Sequence, residues 1–182
     1  ASDFQDARSV CRELDIPLHR VSFAQQYRER VFAYFLAEHR AGRTPNPDVL
    51  CNREIKFGLC LQHAQRLGAQ CFATGHFARL EHDGAASVAL LKGRDAAKDQ
   101  SYFLHAVDRA QLAQVRFPIG ELTKAEVRDR ARSAGLPTFD KPDSTGICFI
   151  GERPFREFLS QWLPHRPGHI ETLDGEVLGD HV

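Results

Sequence analysis

A chain of 182 residues can hold one domain with a substantial core and a small appendage. Its 24 Lys plus Arg balance 24 Asp plus Glu, so no global field draws it to an anionic partner, and nucleic-acid binding would have to come from local basic patches. No apolar run approaches bilayer-spanning length, and the first residues lack the pattern of a signal peptide.

Cysteines stand at positions 11, 51, 60, 71 and 148, an odd number with no CxxC pair. That spacing argues against a secreted disulfide framework and against a zinc site, and for a reducing compartment. There is no methionine, even at position 1, and the chain opens in a helical pattern. It reads as a piece of a longer protein.

Residues 6–14 have the apolar stripe of a helix in Ala7, Val10, Cys11 and Leu14. Ile16-Pro17 breaks it, and the alternation over 18–23 predicts a short strand. A long amphipathic helix follows over about 25–41, with Val31, Phe32, Phe35 and Leu36 on one face and Gly42 as its stop.

The next stretch organises the chain. Thr44-Pro45-Asn46-Pro47-Asp48-Val49-Leu50-Cys51 has two prolines that hold Thr44 and Asn46 out of the α region, which predicts a stiff, extended loop. Ile55, Leu59, Ala64 and Leu67 then recur at helical spacing, so a helix is expected from Asn52 or Arg53 to a stop at Gly68. Cys51 would sit at the loop-to-helix junction, where the helix dipole, Arg53 and Lys56 favour thiolate. Asp48, three residues earlier, is close enough to accept a proton or lie against a substrate. The plainer reading is a buried cysteine in an ordinary loop.

Residues 70–74 read as a short strand ending in Thr74-Gly75-His76. Helix, strand, helix, helix, strand is the order of a doubly wound α/β sheet, whose ligands collect at strand carboxyl ends. Gly75 and His76 lie at such an end, although a turn glycine and an exposed histidine explain them as well. Neither GxGxxG nor GxxxxGK[ST] occurs.

A β-hairpin is expected over 77–93 around His82-Asp83-Gly84-Ala85. Lys98-Asp99-Gln100-Ser101-Tyr102-Phe103 interleaves polar and aromatic residues, as a single-strand nucleic-acid binder does or as a helix start with core aromatics does. Helices follow over 109–115 and 124–134, the second capped by Thr123 with Glu126 at the capping-box position and closed by Gly135. Val127 and Ala131 would face inward, leaving Arg128, Arg130 and Arg132 as a basic face. Residues 140–151 open polar and become a short apolar strand carrying Cys148 between glycines. A helix over 153–162 and a hairpin over 169–178, opening a separate β domain, complete the chain.

Together, GRTPNPDVLCNREIKFG, ATGHFAR, KDQSYFL, FPIGELTKAEVR and DSTGICFIGER resemble the tRNA-specific 2-thiouridylase (MnmA) family, in order and over essentially the whole chain. The resemblance implies a Rossmann-like α/β domain of the adenine-nucleotide α-hydrolase type over 1–108 with a hairpin insertion. It implies a helical central tRNA-binding domain over 109–165 and the start of a C-terminal β-barrel over 166–182. It implies ATP-dependent 2-thiolation of the wobble uridine of tRNA by a cysteine persulfide, in the cytoplasm. ATP with Mg2+ would be the cofactor, and the sulfur would come from a cysteine desulfurase or a sulfur-relay protein.

By the same resemblance Cys148 carries the persulfide and Cys51 releases the sulfur by attacking it or forming a disulfide. Asp48 acts as acid or base, Asn46, Pro47 and Asp48 touch the target base, Lys98, Asp99 and Gln100 contact the tRNA, and Gly75 sits by the nucleotide. Two thiols that meet need Cα atoms within about 7 Å. The family's SGGVDSS-type pyrophosphate loop is not in this sequence, and the barrel is only begun, so the piece alone is expected to bind ATP poorly and not to thiolate tRNA. Two further classes stay open: a thiol redox protein with a Cys51–Cys148 disulfide, and an RNA-binding module with inert cysteines.

Overall fold

The structure, a computed structural model, describes residues 2–83, 87–143, 154–163 and 167–181. Helix α1 (Ser2–Glu13) closes on Asp15, whose φ of 51° lets Ile16 N donate to Cys11 O at 2.8 Å. Aspartate tolerates this left-handed position better than most residues. The strand expected over 18–23 is not formed: the segment has no ladder partner among the described residues, and Leu18 and Val21 stay exposed. Alternation prepares a strand, but a neighbouring strand makes one.

The expected long helix is one rod in three parts, α2 (Ala24–Tyr27), a π-helical segment Arg28–Phe32 and α3 (Ala33–Arg40). Val31, Phe35 and Leu36 are buried on its inner face. Gly42, at φ 72°, ends it with the paired bonds Gly42 N to His39 O and Arg43 N to Glu38 O.

The second rod begins earlier than expected. Asn46 is extended (φ −105°, ψ 97°), as a residue before proline should be, but Pro47 is already the first helical residue. Helix α4 (Pro47–Leu50) runs directly into a π-helical segment, Cys51–Cys60, and then α5 (Leu61–Arg66). The wider π turn shifts the inward face, so Asn52, Phe57, Gly58 and Leu61 are buried while Leu67 is exposed. Gly58 suits this turn, because a Cβ there would lie 2.9 Å from Arg53 O.

Strand β1 (Phe72–Ala73) pairs in parallel with β4 (Val115–Arg116), Phe72 opposite Val115. The helix expected over 109–115 is shorter: α6 (Arg109–Leu112), held by an Asp108–Gln111 capping box, stops so that β-branched Val115 can enter the strand and the core. The expected hairpin is β2 (Ala78–Asp83) with β3 (Ser87–Lys92), antiparallel, Leu80 opposite Leu90. Gly120 packs so tightly against this hairpin that a Cβ would overlap Ala78 O. The main core joins these parts: Phe57, Ala78, Val88, Leu104, Val107, Leu112 and Val115. Each of the Phe, Val and Leu side chains among these contributes about 1.5–3 kcal/mol when fully buried.

Helix α7 (Lys124–Ser133) has the expected capping box: Thr123 N donates to Glu126 Oε2 at 2.7 Å and Glu126 N donates to Thr123 Oγ1 at 3.3 Å. Gly135, at φ 68°, ends it. Helix α8 (Phe155–Ser160) lies against the first rod through rings, Phe32 to Trp162 at 5.1 Å and Phe35 to Phe155 at 6.2 Å. Strands β5 (Gly168–Glu171) and β6 (Val177–His181) form the expected C-terminal hairpin, its turn carrying Gly175 at φ 86°.

Candidate active site

The first turn of α4 holds the residues singled out in the sequence. Asn46 Oδ1 accepts from Asp48 N at 3.1 Å and Val49 N at 3.4 Å, satisfying two of the amides that every helix start leaves open. The rigid Asn-Pro pair thus fixes where Asp48 stands. Cys51 falls within the continuing helix, one turn beyond Asp48, and not at a loop-to-helix junction. Its side chain is 8% exposed. The positive end of the helix dipole therefore acts at Pro47–Asp48, not at Cys51.

Burial pushes the Asp48 carboxyl up, and the charge of Lys56 partly opposes this. A carboxyl raised in this way holds its proton more readily than a solvated one. Burial likewise pushes up the Cys60 thiol on the same rod.

At the carboxyl end of β1, Gly75 is open: a Cβ there would meet no atom within 4 Å. His76 is not the exposed residue that a bare turn predicts. It is 8% exposed, caged between Phe57 (5.5 Å between centroids) and Phe117 (5.8 Å), with Nδ1 hydrogen-bonded to Thr74 Oγ1 at 2.8 Å. Burial, helped by the Lys56 charge, lowers its pKa to about 4. His76 is therefore a neutral imidazole at physiological pH. Lys56 acts on both Asp48 and His76 and so ties the helix start to the strand end electrostatically.

Lys98, Asp99 and Gln100 form the loop that follows β3. Lys98 Nζ is 2.7 Å from Asp143 Oδ2. Asp99 accepts from Gly93 N at 2.9 Å and from Ser101 N and Oγ; burial opposes ionisation, but these bonds hold its carboxyl below the usual range. Gln100 exchanges two bonds with the backbone of Phe77. Asp99 and Gln100 thus shape the loop, while Tyr102, 58% exposed and with its ring tilted 35° to that of Phe103, faces solvent and not the core.

Asn52 is a residue that the sequence reading missed. It is 2% exposed, its Nδ2 donates to Phe103 O at 3.3 Å, and its Oδ1 has no hydrogen-bond partner among the described residues. It ties the Cys51 helix to the loop that carries Lys98. A polar residue one position from Cys51, on the face that includes Phe57, would have been the signal once the π phase was known. Cys148 lies outside the described residues.

Among the described residues, no helix is long and apolar enough to cross a membrane. The family described as tRNA methyl transferase HUP domain matches residues 1–152. A protein of Dichelobacter nodosus named tRNA-specific 2-thiouridylase MnmA is 61% identical over 183 residues, covering 100% of this chain and 48% of that protein. Proteins of the same name from Lysinibacillus sphaericus and Nitrosomonas eutropha are 56% and 60% identical over 179 residues, covering 98% of this chain and 48% and 49% of theirs. The chain spans about half the length of the curated relatives it matches. With the α/β class, the parallel β1–β4 pair and a match over most of its length, the chain belongs to the tRNA methyl transferase HUP domain family.

Proposed function

We propose that the protein of which this chain is part replaces the C2 oxygen of the tRNA wobble uridine with sulfur, in an ATP-dependent reaction in the cytoplasm. The observation that carries this is the capped turn that places Asp48, its carboxyl raised by burial, one helical turn from a nearly buried Cys51. The relatives' shared name supplies the reaction.

In this reading Asn46, Pro47 and Asp48 hold the target base, and Asp48 passes its proton. Lys98 meets the tRNA backbone, with Asp99 and Gln100 fixing the loop that presents it. Cys148, loaded as a persulfide by a cysteine desulfurase or a relay protein, delivers its outer sulfur to C2. The Cys51 thiolate then attacks the Cys148 sulfur. The S–S bond breaks, its electron pair stays on the sulfur bound to C2, and a Cys51–Cys148 disulfide remains for a thiol reductant to reopen. Bound ATP, with Mg2+, would supply the activation that makes the C2 oxygen a leaving group. The open backbone at Gly75 fits a nucleotide at the carboxyl end of β1. Burial disfavours the Cys60 thiolate, which suits Cys60 to a structural place.

The test is to incubate the full-length protein with a cysteine desulfurase and cysteine, alkylate it, and map the extra sulfur by peptide mass. Sulfur on Cys148, with 2-thiouridine formed only when Cys51 is intact, supports the proposal. Equal loading of Cys60 or Cys71 refutes the assignment of thiols. A reversible Cys51–Cys148 disulfide without sulfur transfer favours a redox protein, and full RNA binding with both cysteines dispensable favours a binding module.

A further inference from the structure

Asp48, Cys51 and the neutral His76 bring no positive charge to the site. Breaking the C2–O bond of a uridine nevertheless gathers negative charge on the oxygen that leaves, and such charge is met by a cation or a fixed hydrogen-bond donor. Arg53, two positions from Cys51, is exposed and donates to Glu54 Oε1 at 2.8 Å, and Arg30 stands 3.6 Å from the same carboxylate. Lys98 is held by Asp143 at 2.7 Å. Lys56 differs from these: it is half-buried, and its ammonium has no hydrogen bond or ion pair among the described residues.

The π-helical segment brings that ammonium to the site. Its backbone bonds reach five positions back, as Leu61 N does to Lys56 O, so Lys56 follows Cys51 by one π turn and shares its flank of the rod. In an α-helix the same five positions would turn Lys56 about 140° away from Cys51. The next residue, Phe57, is buried and meets the His76 ring at 5.5 Å between centroids. From this place the Lys56 charge acts on Asp48 to one side and on His76, beside the open backbone of Gly75, to the other. Burial disfavours ionisation of Asp48, so that carboxyl does not claim the lysine as an ion pair.

We propose that Lys56 is a further catalytic residue, whose ammonium contacts the oxygen leaving C2 of the uridine and stabilises the charge that gathers there; this role rests on the reaction proposed above. As sulfur bonds to C2, the C2–O bond breaks and its electron pair stays on the oxygen. Lys56 holds that oxygen by a charge-assisted hydrogen bond and keeps its own proton. Asp48 and Lys56 then have separate tasks on one rod, the first passing a proton and the second supplying fixed charge.

The experiment is steady-state 2-thiouridine formation by the full-length protein with tRNA, ATP, a cysteine desulfurase and cysteine. Lys56→Gln should lower kcat about 100- to 1000-fold, the cost of removing one donor to a developing oxyanion, with KM for tRNA changed by less than about threefold. Peptide mass should show Cys148 loaded with sulfur as in the wild type, which places the loss after loading. The loss should persist at every pH between about 6 and 9. Arg66→Gln, which removes an equal charge from an exposed position of the same rod, should leave kcat unchanged. An active wild type with Lys56→Gln equally active overturns this role alone, whereas a wild type that forms no 2-thiouridine refutes the reaction and the role with it. A loss recovered by a shift of the pH profile would mean that Lys56 acts only through Asp48, and a raised KM with kcat intact would mean a contact to RNA alone; either overturns the role. Failed loading of Cys148 in folded Lys56→Gln, or an equal loss in Arg66→Gln, overturns it as well. Should Lys56→Gln fail to fold, Lys56→Ala assayed with added methylammonium decides: restored kcat supports the role, and no restoration overturns it.

Discussion

His76 should make the fold acid-labile. The imidazole is caged by Phe57 and Phe117 and has a pKa of about 4, against 6.5 when freely solvated. Between those values the unfolded chain binds a proton at this position and the folded chain does not. Stability is therefore fully present above pH 6.5 and is lost as pH falls towards 4. Each pKa unit is worth about 1.4 kcal/mol, so the whole displacement corresponds to about 3 kcal/mol. That is a large share of the 5–15 kcal/mol that typically holds a domain together. Urea unfolding of the wild type and of His76→Gln, followed at pH 7.5 and pH 4.5 by the single tryptophan, Trp162, measures it. His76→Gln loses stability at both pH values, since it vacates an aromatic cage. The readout is the difference in slope: the wild type should lose about 2–3 kcal/mol more than the variant over that interval, a midpoint difference of about 1 M urea or more. Parallel pH profiles for the two proteins, or a His76 ring that titrates near 6.5 by NMR, would refute the reasoning.

Lys56→Met removes the cation that acts on both Asp48 and His76, so both pKa values should rise, and NMR titration of the two side chains checks this. Asn46→Ala should cost about 1 kcal/mol by leaving the α4 amides uncapped, with Asn46→Ser restoring most of it; thermal denaturation measures both. Gly120→Ala should destabilise by about 1–3 kcal/mol or more, because its Cβ would press on Ala78 O, and calorimetry reads it as a lowered Tm. In the full-length protein, Cys51→Ala should abolish 2-thiouridine formation while Cys60→Ala retains it, by mass analysis of nucleosides from tRNA incubated with each variant.

Punctuation of the chain was legible in the sequence, and phase was not. Gly42, Gly68 and Gly135 all end helices at positive φ, and Thr123 with Glu126 opens one, because these signals act within a few residues. The hairpin over 77–93 was legible for the same reason. The strand over 18–23 failed because a ladder needs a partner that no local pattern guarantees. The start of the second rod failed in a more instructive way. Pro45 and Pro47 read in the sequence as loop formers, although Asn followed by Pro is also a cap followed by the first helical residue, and that second use is the one realised.

From that early start the π turns carry the helix through Cys51 with a wider period. The side chains that reach the core are then Asn52, Phe57 and Leu61, not those at ordinary helical spacing. The same rotation explains why the candidate site was found only in part. Asp48 and Cys51 were visible as residue types in a stiff segment. The link from Asn52 to Phe103, the cage around His76 and the reach of Lys56 to both Asp48 and His76 depend on which way the rod faces. Rare π-helical segments gather at functional sites because they re-aim side chains at a cost in hydrogen-bond geometry. Here the re-aimed residue is a buried asparagine that ties the thiol-bearing rod to the loop presenting Lys98. The rod that carries Asp48 and Cys51 and the segment that follows Lys98 are thereby parts of one mechanical unit.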